Sequence, residues 1–363
     1  GHELEFKSVI RTYLKFLDHG LLPNFVGDGA RPQYNRVDAS LLFIWAIGEY
    51  LKRTSDHDFL DEVIERDPWA GEPASVLSLI EEIINTYENG INRPYLWEDA
   101  IQKGSYMRII EIGMDPEDNL VRAGSANTQL TWMDAQRDGV PVTSRHGKAV
   151  DINAFWYISL NVLADIYSRR ADEEKSSYYR DLALKAGSSF NKFWNEGARC
   201  LYDTIEGDER QARQIRPNQI FAIAAGLLDE DRARAALETV TKELFTPYGL
   251  RTLSPGDGQY KPYHTDEYSY HQGTVWPWLT GAFIEACIRV YGVDRAVQLL
   301  AEGHYFTTLS RVINANDMRS VPEIFDGECD LACGSWNTRG CLAQAWSVAE
   351  ILRGLELLFP DKT

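Results

Sequence analysis

The sequence predicts an all-α protein whose helices form an α/α barrel, with an inner ring of helices enclosed by an outer ring. Helical periodicity runs almost from end to end, and no segment of four to eight residues alternates cleanly enough to demand a strand. Helices that are apolar nearly all round also alternate with amphipathic ones. A helix that is apolar on every side is buried on every side, so the apolar helices are predicted to form the inner ring.

Each apolar helix is predicted to precede an amphipathic helix that covers it. In the amphipathic stretch 173–194, the apolar residues from Tyr179 to Phe193 recur at spacings of 3, 4, 4 and 3. The predicted inner helices are 38–50, 151–167, 217–228, 274–291 and 341–359, and the outer ones include 76–87, 173–194, 231–244 and 293–308.

Residues 1–363 are predicted to form a single domain, because no polar linker divides the pattern. Gly1 and His2 resemble an expression remnant, which fits a domain cut from a longer chain.

Composition excludes several classes of function. The chain has 37 Lys and Arg against 54 Asp and Glu, a net charge of −17, so it lacks the basic face needed for nucleic acid or an anionic membrane. No signal peptide or membrane span is recognisable, which predicts a cytoplasmic protein. Five scattered cysteines form no disulfide framework, and the seven histidines lack ligand spacing, so we expect no metal and no cofactor.

The loops before the inner helices mix aromatic residues with carboxylate, amide, Arg or His side chains, which indicates a ligand cleft. Ten Trp and 18 Tyr in an acidic chain favour a sugar ligand. Helix capping is the alternative role for Asp38 and Asp151, and it is the role expected of Thr274.

These loops resemble the amylo-α-1,6-glucosidase domain of glycogen debranching enzymes, in its bacterial and archaeal form. The match extends over about residues 20 to 350. It is carried by LPN (22–24), YNRVDA (34–39), LTWMDA (130–135), GK (147–148), NA (153–154), WY (156–157), RPNQ (216–219), YHQGTVWPW (270–278), EIFDG (323–327) and QAWS (344–347).

The resemblance implies an (α/α)6 barrel of the six-hairpin glycosidase type. It also implies inverting, exo-acting hydrolysis of the α-1,6-linked glucose stub at a trimmed glycogen branch. By motif, the proton donor is Asp134 and the base is Glu323. The chain departs from the family at Asp151, where Glu is usual, and in the segments 124–127 and 328–339, which puts substrate choice in doubt.

The residue types support that chemistry independently. Inverting hydrolysis needs one protonated and one ionised carboxyl group, roughly 6.5–9.5 Å apart, so that a water fits between base and sugar. Trp132 and Met133 give Asp134 an apolar setting, which suits the acid. The alternative role for Asp134 is to cap a helix, and the alternative role for Glu323 is to form a buried ion pair. Asp326 is the alternative to Glu323 as the base.

A pyranose presents an apolar face and a rim of hydroxyl groups, which aromatic rings and hydrogen-bonding side chains recognise. Core packing is the alternative for each tryptophan. Trp132, Trp276, Trp278 and Trp346 are predicted to cover the face, and Asp38, Arg145, Lys148, Asn218, Gln219, His271 and Gln344 to hold the rim.

Three other functions are compatible with parts of the pattern. Another inverting exo-glycosidase, acting on a different α-glucoside or a disaccharide, would use the same carboxyl pair. A non-catalytic sugar-binding barrel would keep the aromatic loops. A metal-dependent cyclase would need a His or Cys trio that the sequence does not present.

Overall fold

The computed structural model describes residues 2–24, 26, 32–99, 104–315, 318–328 and 337–360. About half of the chain is helical. The α-helices are α1 (Glu3–Leu14), α2 (Ala39–Thr54), α3 (Val76–Asn89), α4 (Val150–Arg169), α5 (Glu173–Ser189), α6 (Glu209–Ala212), α7 (Ile220–Ala225), α8 (Glu230–Leu244), α9 (Thr280–Tyr291), α10 (Val293–Glu302), α11 (Tyr305–Ala315) and α12 (Ala345–Leu358).

The chain divides into two compact units. The first consists of Gly1–Ser189 with Glu206–Asp208, and the second of Phe190–Ile205 with Glu209–Thr363. In the first unit α2 packs on α4, and α4 on α5. In the second, α9 lies against α7, α8, α10 and α12. The prediction of one domain over residues 1–363 stays a prediction.

The predicted inner helices exist, and three of them begin at least three residues later than expected. The helices predicted at 38–50 and 151–167 correspond to α2 and α4, and their positions are confirmed. The helix predicted from residue 274 begins at Thr280, because Val275–Trp276 forms a strand and Pro277 opens a short 3-10 turn. Proline disfavours helical backbone in the residue before it, so the helix starts after Pro277. Thr274 therefore caps no helix, and that prediction is wrong.

Helix α12 is buried on one stripe only, so the prediction that it is buried all round is wrong. The stripe consists of Ser347, Ile351, Gly354 and Leu358, at spacings that follow one helix face. At its centre a Cβ on Gly354 would lie 3.4 Å from the Cα of Gly281 on α9, so the two helices approach closely there. The opposite face is in solvent, where Leu352 is 59% exposed.

The expectation of a helical fold is confirmed, although the described residues also contain sixteen strands, twelve of them two residues long. The strands are β1 (Val63–Ile64), β2 (Ala74–Ser75), β3 (Ile91–Asp99), β4 (Gly104–Met114), β5 (Val121–Ala123), β6 (Gln136–Arg137), β7 (Val140–Pro141), β8 (Lys148–Ala149), β9 (Trp194–Asn195), β10 (Cys200–Leu201), β11 (Thr204–Ile205), β12 (Phe245–Thr246), β13 (Gly249–Arg251), β14 (Val275–Trp276), β15 (Ile324–Phe325) and β16 (Thr338–Arg339).

The longest pair, β3 and β4, is antiparallel, with Ile91 opposite Ile112 and Pro94 opposite Ile109. Periodicity missed it because β4 is apolar on both faces. Ile110 and Ile112 are buried, whereas Met107 and Ile109 are exposed, so polar and apolar residues do not alternate.

A five-stranded antiparallel sheet in the second unit positions Glu323. Its strand order is β12-β13-β14-β15-β16, with Val275 opposite Phe325 and Ile324 opposite Arg339. Glu323 directly precedes β15. Cys341 follows β16 by two residues, and the backbones of Glu323 and Cys341 are hydrogen-bonded. The end of this β-hairpin therefore holds the predicted base.

Among the described residues, none of the helices is both long and apolar enough to cross a membrane. Cys200 and Cys287 are buried and Cys341 is exposed, each as a free thiol. Cys329 and Cys333, with most of the divergent segment 328–339, lie outside the described residues.

Candidate active site

Asp134 lies in the irregular segment between β5 and β6 of the first unit. Its side chain is 18% exposed, and Nη2 of Arg36 donates to its Oδ2 at 2.5 Å. Trp132 and Met133 beside it are buried, as expected from their apolar character. The apolar flanks are confirmed, but the carboxylate also has a cation that sequence analysis did not assign to it.

The Arg36 guanidinium favours the ionised form of Asp134 and so opposes the effect of the apolar flanks. It is also placed to stabilise the carboxylate that remains after Asp134 has given up a proton. Arg36 lies in the same YNRVDA motif as Asp38. Sequence analysis did not assign Arg36 to the site, because its partner Asp134 lies 98 positions further along the chain.

Asp38 is a buried carboxyl group with an unusual environment. It directly precedes α2, but its side chain makes no capping hydrogen bond, so the capping alternative is not realised. The backbone N–H of Trp132 donates to the carboxylate, whereas no donor among the described residues reaches its Oδ2. Burial raises the pKa of Asp38 to about 6, the negative charges of Asp151 and Asp134 add to the rise, and Arg36 opposes it.

Asp151 pairs with Arg145 instead of capping a helix. The Arg145 guanidinium donates to both carboxylate oxygens, at 2.8 and 3.1 Å, and both side chains are fully buried. A bidentate pair of this kind fixes both side chains. The pair anchors the first turn of α4, where Asp151 lies, to the segment between β7 and β8 that contains Arg145.

Lys148 lies among three carboxylates of the first unit. Its Nζ donates to Asp115, Asp118 and Glu206 at 2.8, 2.8 and 2.7 Å, which uses all three of its N–H groups. The oxygens of these acids lie within 4.8 Å of one another, close enough to share a cation, and the ammonium group lies among them. This network gives Lys148 a structural role. Its contact with sugar stays a prediction.

Glu323, the predicted base, is half-buried, and each of its carboxylate oxygens accepts a hydrogen bond from a neutral donor. The Tyr270 hydroxyl donates to Oε1 at 2.6 Å, and the backbone N–H of Cys341 donates to Oε2 at 2.9 Å. Gly340, whose φ is +65°, lies directly against this carboxylate. The carboxylate is thus oriented without a cation in either contact.

Asp326, the alternative base, is more deeply engaged. It is fully buried, and its Oδ1 accepts the backbone N–H of His264 at 2.9 Å. The Arg339 guanidinium donates to its two oxygens at 3.3 and 3.2 Å. Burial lowers the pKa of His264, and the charge of Asp326 opposes that effect. Asp326 therefore joins β16 to the loop that contains His264.

A cluster of aromatic rings lies beside Tyr270. The Trp276 ring contacts Tyr270 edge-on at 5.1 Å, stacks with His271 at 5.0 Å, and meets Trp346 edge-on at 5.9 Å. Trp278 stacks on Trp346 at 4.9 Å. Trp276 and Trp278 are buried, whereas Trp346 is half-buried, so Trp346 offers the most accessible face of the three.

The remaining predicted rim residues also make protein contacts. Asn218 donates to Asp203 at 2.7 Å, and the Gln219 amide bonds the backbone of Leu201 and Arg216. Gln344 is half-buried and directly precedes α12. Their contacts with substrate stay predictions.

The sequence matches the amylo-alpha-1,6-glucosidase family over residues 4–353. It is 28% identical to the glycogen debranching enzyme of Saccharomyces cerevisiae over 352 residues, covering 78% of this chain and 23% of the yeast protein. It is 23% identical to the N,N'-diacetylchitobiose phosphorylase of Vibrio proteolyticus over 221 residues, covering 60% of this chain and 24% of that protein. The chain spans about a quarter of the length of these curated relatives.

Proposed function

Because the chain belongs to the amylo-α-1,6-glucosidase family, a family of glycoside hydrolases, we propose that it releases glucose from α-1,6-linked branch stubs of glycogen or limit dextrin. The proposed reaction is exo-acting and inverts the anomeric centre. The observation that carries the proposal is the Glu323 carboxylate, which two neutral donors orient within a family motif.

Glu323 acts as the general base. An ionised carboxylate has about four acceptor positions, and the hydrogen bonds from Tyr270 and Cys341 occupy one on each oxygen. The remaining positions accept a water, whose proton passes to Glu323 as the water attacks the anomeric carbon. Asp326 is the weaker alternative, because Arg339 and the His264 N–H already engage both of its oxygens.

Asp134 acts as the general acid. It protonates the glycosidic oxygen as the bond to the leaving sugar breaks, which leaves a carboxylate beside the Arg36 guanidinium. That cation stabilises the new charge as it forms, and an interaction that strengthens in the transition state accelerates the reaction.

The same proposal includes the sugar-binding residues. The buried Oδ2 of Asp38 would accept a hydrogen bond from a sugar hydroxyl. The sugar would thereby supply the hydrogen bond that the described residues do not provide to this oxygen. Trp346 would cover the apolar sugar face. The packing of α2 on α4 in the first unit, and of α7 and α12 on α9 in the second, supports inner helices of an (α/α)6 barrel.

Glucose release from a phosphorylase limit dextrin tests the proposal. We expect glucose as the first product, at a rate well above that on maltose, trehalose and isomaltose. A preference for one of those disaccharides would indicate another inverting exo-glycosidase. Maltose or longer oligomers in the first minutes would exclude exo action, and no hydrolysis of any α-glucoside would leave a sugar-binding protein.

Adding inorganic phosphate separates hydrolysis from phosphorolysis. A relative is named as a phosphorylase, but the two hydrogen bonds to the Glu323 carboxylate come from neutral groups, so its negative charge repels a phosphate dianion. We expect free glucose with or without phosphate. Formation of glucose 1-phosphate would overturn hydrolysis as the reaction.

A further inference from the structure

The contacts around Glu323 point to a residue that the motif comparison does not assign. We propose that Tyr270 is a positioning residue, whose hydroxyl fixes the plane of the Glu323 carboxylate. This inference rests on the proposed function of Glu323 as the base, and it identifies the residue that holds this base in position.

The Glu323 carboxylate is held at two points. Tyr270 donates to Oε1 at 2.6 Å and the Cys341 backbone N–H donates to Oε2 at 2.9 Å, so rotating the carboxylate breaks a hydrogen bond. Since the Cys341 donor belongs to the backbone, Tyr270 is the partner that a side-chain substitution can remove.

Tyr270 is itself fixed in place. Its backbone oxygen accepts hydrogen bonds from the Thr274 hydroxyl at 2.6 Å and from Nε1 of Trp276 at 3.2 Å. Its ring lies 4.7 to 5.1 Å from the rings of His264, His271 and Trp276. A side chain confined on these sides presents its hydroxyl in one direction, as a positioning residue must.

Gly340 provides the space that this arrangement requires. A Cβ at Gly340 would lie 2.2 Å from Oε2 of Glu323, well inside contact distance, and its φ of +65° is strained for other residues. Any side chain at this position therefore displaces the carboxylate from its two donors.

Several charged groups lie around the Tyr270–Glu323 pair. His264 packs on Tyr270 and interacts electrostatically with Asp266, Glu323, Asp326 and Arg339. Tyr270→Phe leaves these groups unchanged, so a loss of rate in that variant comes from the lost hydroxyl.

The test compares Tyr270→Phe with wild-type protein on limit dextrin. We expect kcat to fall about 10- to 100-fold with KM changed less than about threefold, because the hydroxyl orients the base and binds no substrate. A merely structural role would change KM and the thermal unfolding temperature together with kcat, so the split between kcat and KM is the deciding readout.

Tyr178→Phe is the matched control, because Tyr178 also donates its hydroxyl to a glutamate, Glu88, in the other unit. It should keep the wild-type rate. If Tyr270→Phe fails to fold, Gly340→Ala tests the same clamp with the hydroxyl retained, and we expect at least a tenfold loss of kcat.

The proposed function and this inference fail in different ways. An inactive wild-type protein overturns the proposed function. The inference is then decided by a crystal structure of Tyr270→Phe, where the Glu323 carboxylate should turn out of the plane that it has in the wild-type protein. An active wild-type protein with an unchanged kcat in Tyr270→Phe overturns the inference. So does an unturned Glu323 carboxylate in that variant, or full activity of Gly340→Ala.

Discussion

The surroundings of Asp134 and Glu323 differ in the kind of group that holds each carboxylate. Around Asp134 the neighbours are charged, with Arg36 on its Oδ2 and Asp38 coupled to it electrostatically. The two hydrogen bonds to Glu323 come from neutral groups, a tyrosine hydroxyl and a backbone N–H. The first region is suited to a proton that is gained and lost, and the second to orienting a carboxylate.

The charged region balances opposing effects. Arg36 favours ionised carboxylates, whereas Asp38 and Asp134 each disfavour ionisation of the other. Because these acids interact, their apparent pKa values belong to the group and not to a single residue. Substitutions here should therefore alter pH dependence and stability, whereas substitutions near Glu323 should alter orientation and rate.

The largest expected effect comes from neutralising either carboxylate. Asp134→Asn and Glu323→Gln keep the shape of the side chain but remove its ionisation, so each should lower the hydrolysis rate by about two orders of magnitude or more. Thermal unfolding should show that both variants remain folded. Asp138→Asn and Glu302→Gln, two exposed positions, serve as controls. A variant that keeps more than about a tenth of the wild-type rate eliminates its residue from the role.

A smaller effect is expected for Arg36→Gln. Losing the cation beside Asp134 should lower kcat about tenfold and move the alkaline limb of kcat/KM to higher pH, because the acid then keeps its proton more readily. Arg170→Gln, which removes an exposed pair with Asp61, is the control. An unmoved alkaline limb would show that Arg36 does not act through the general acid.

Asp38→Asn should have the smallest effect on rate and a clear effect on stability. Its pKa of about 6 in the folded protein exceeds the usual 3.8, so the stability linked to this proton is present below about pH 4 and lost as pH rises through 6. Asparagine stays neutral throughout. Asp38→Asn should thus raise the free energy of unfolding at pH 7.5 by about 2–3 kcal/mol, with no gain near pH 4. Urea unfolding at both pH values measures this, and an equal change at both would contradict it.

Much of the helical framework follows from local pattern. Helices such as α2 and α4 were predictable because their apolar periodicity and their burial coincide. The β3–β4 hairpin was not, because its exposed face is apolar as well. The two-residue strands β14 and β15 carry no periodicity of their own, since only their partners in the sheet define them.

The site was predictable at the level of motifs and not at the level of contacts. Asp134 and Glu323 stand in motifs that the family resemblance assigns. The contacts Arg36–Asp134 and Tyr270–Glu323 join positions 98 and 53 residues apart, and no local rule pairs them. The same limit applies to Lys148, whose three carboxylate partners come from distant segments of the chain.

Proton NMR of the anomeric signals during the first minutes of hydrolysis tests the central claim most directly, because it reads the product before mutarotation mixes the anomers. If Glu323 activates a water and Asp134 protonates the leaving oxygen, one displacement inverts the centre, and an α-1,6-linked substrate gives β-glucose first. Initial α-glucose would contradict the account, since retention requires a covalent intermediate and makes Glu323 a nucleophile instead of a base.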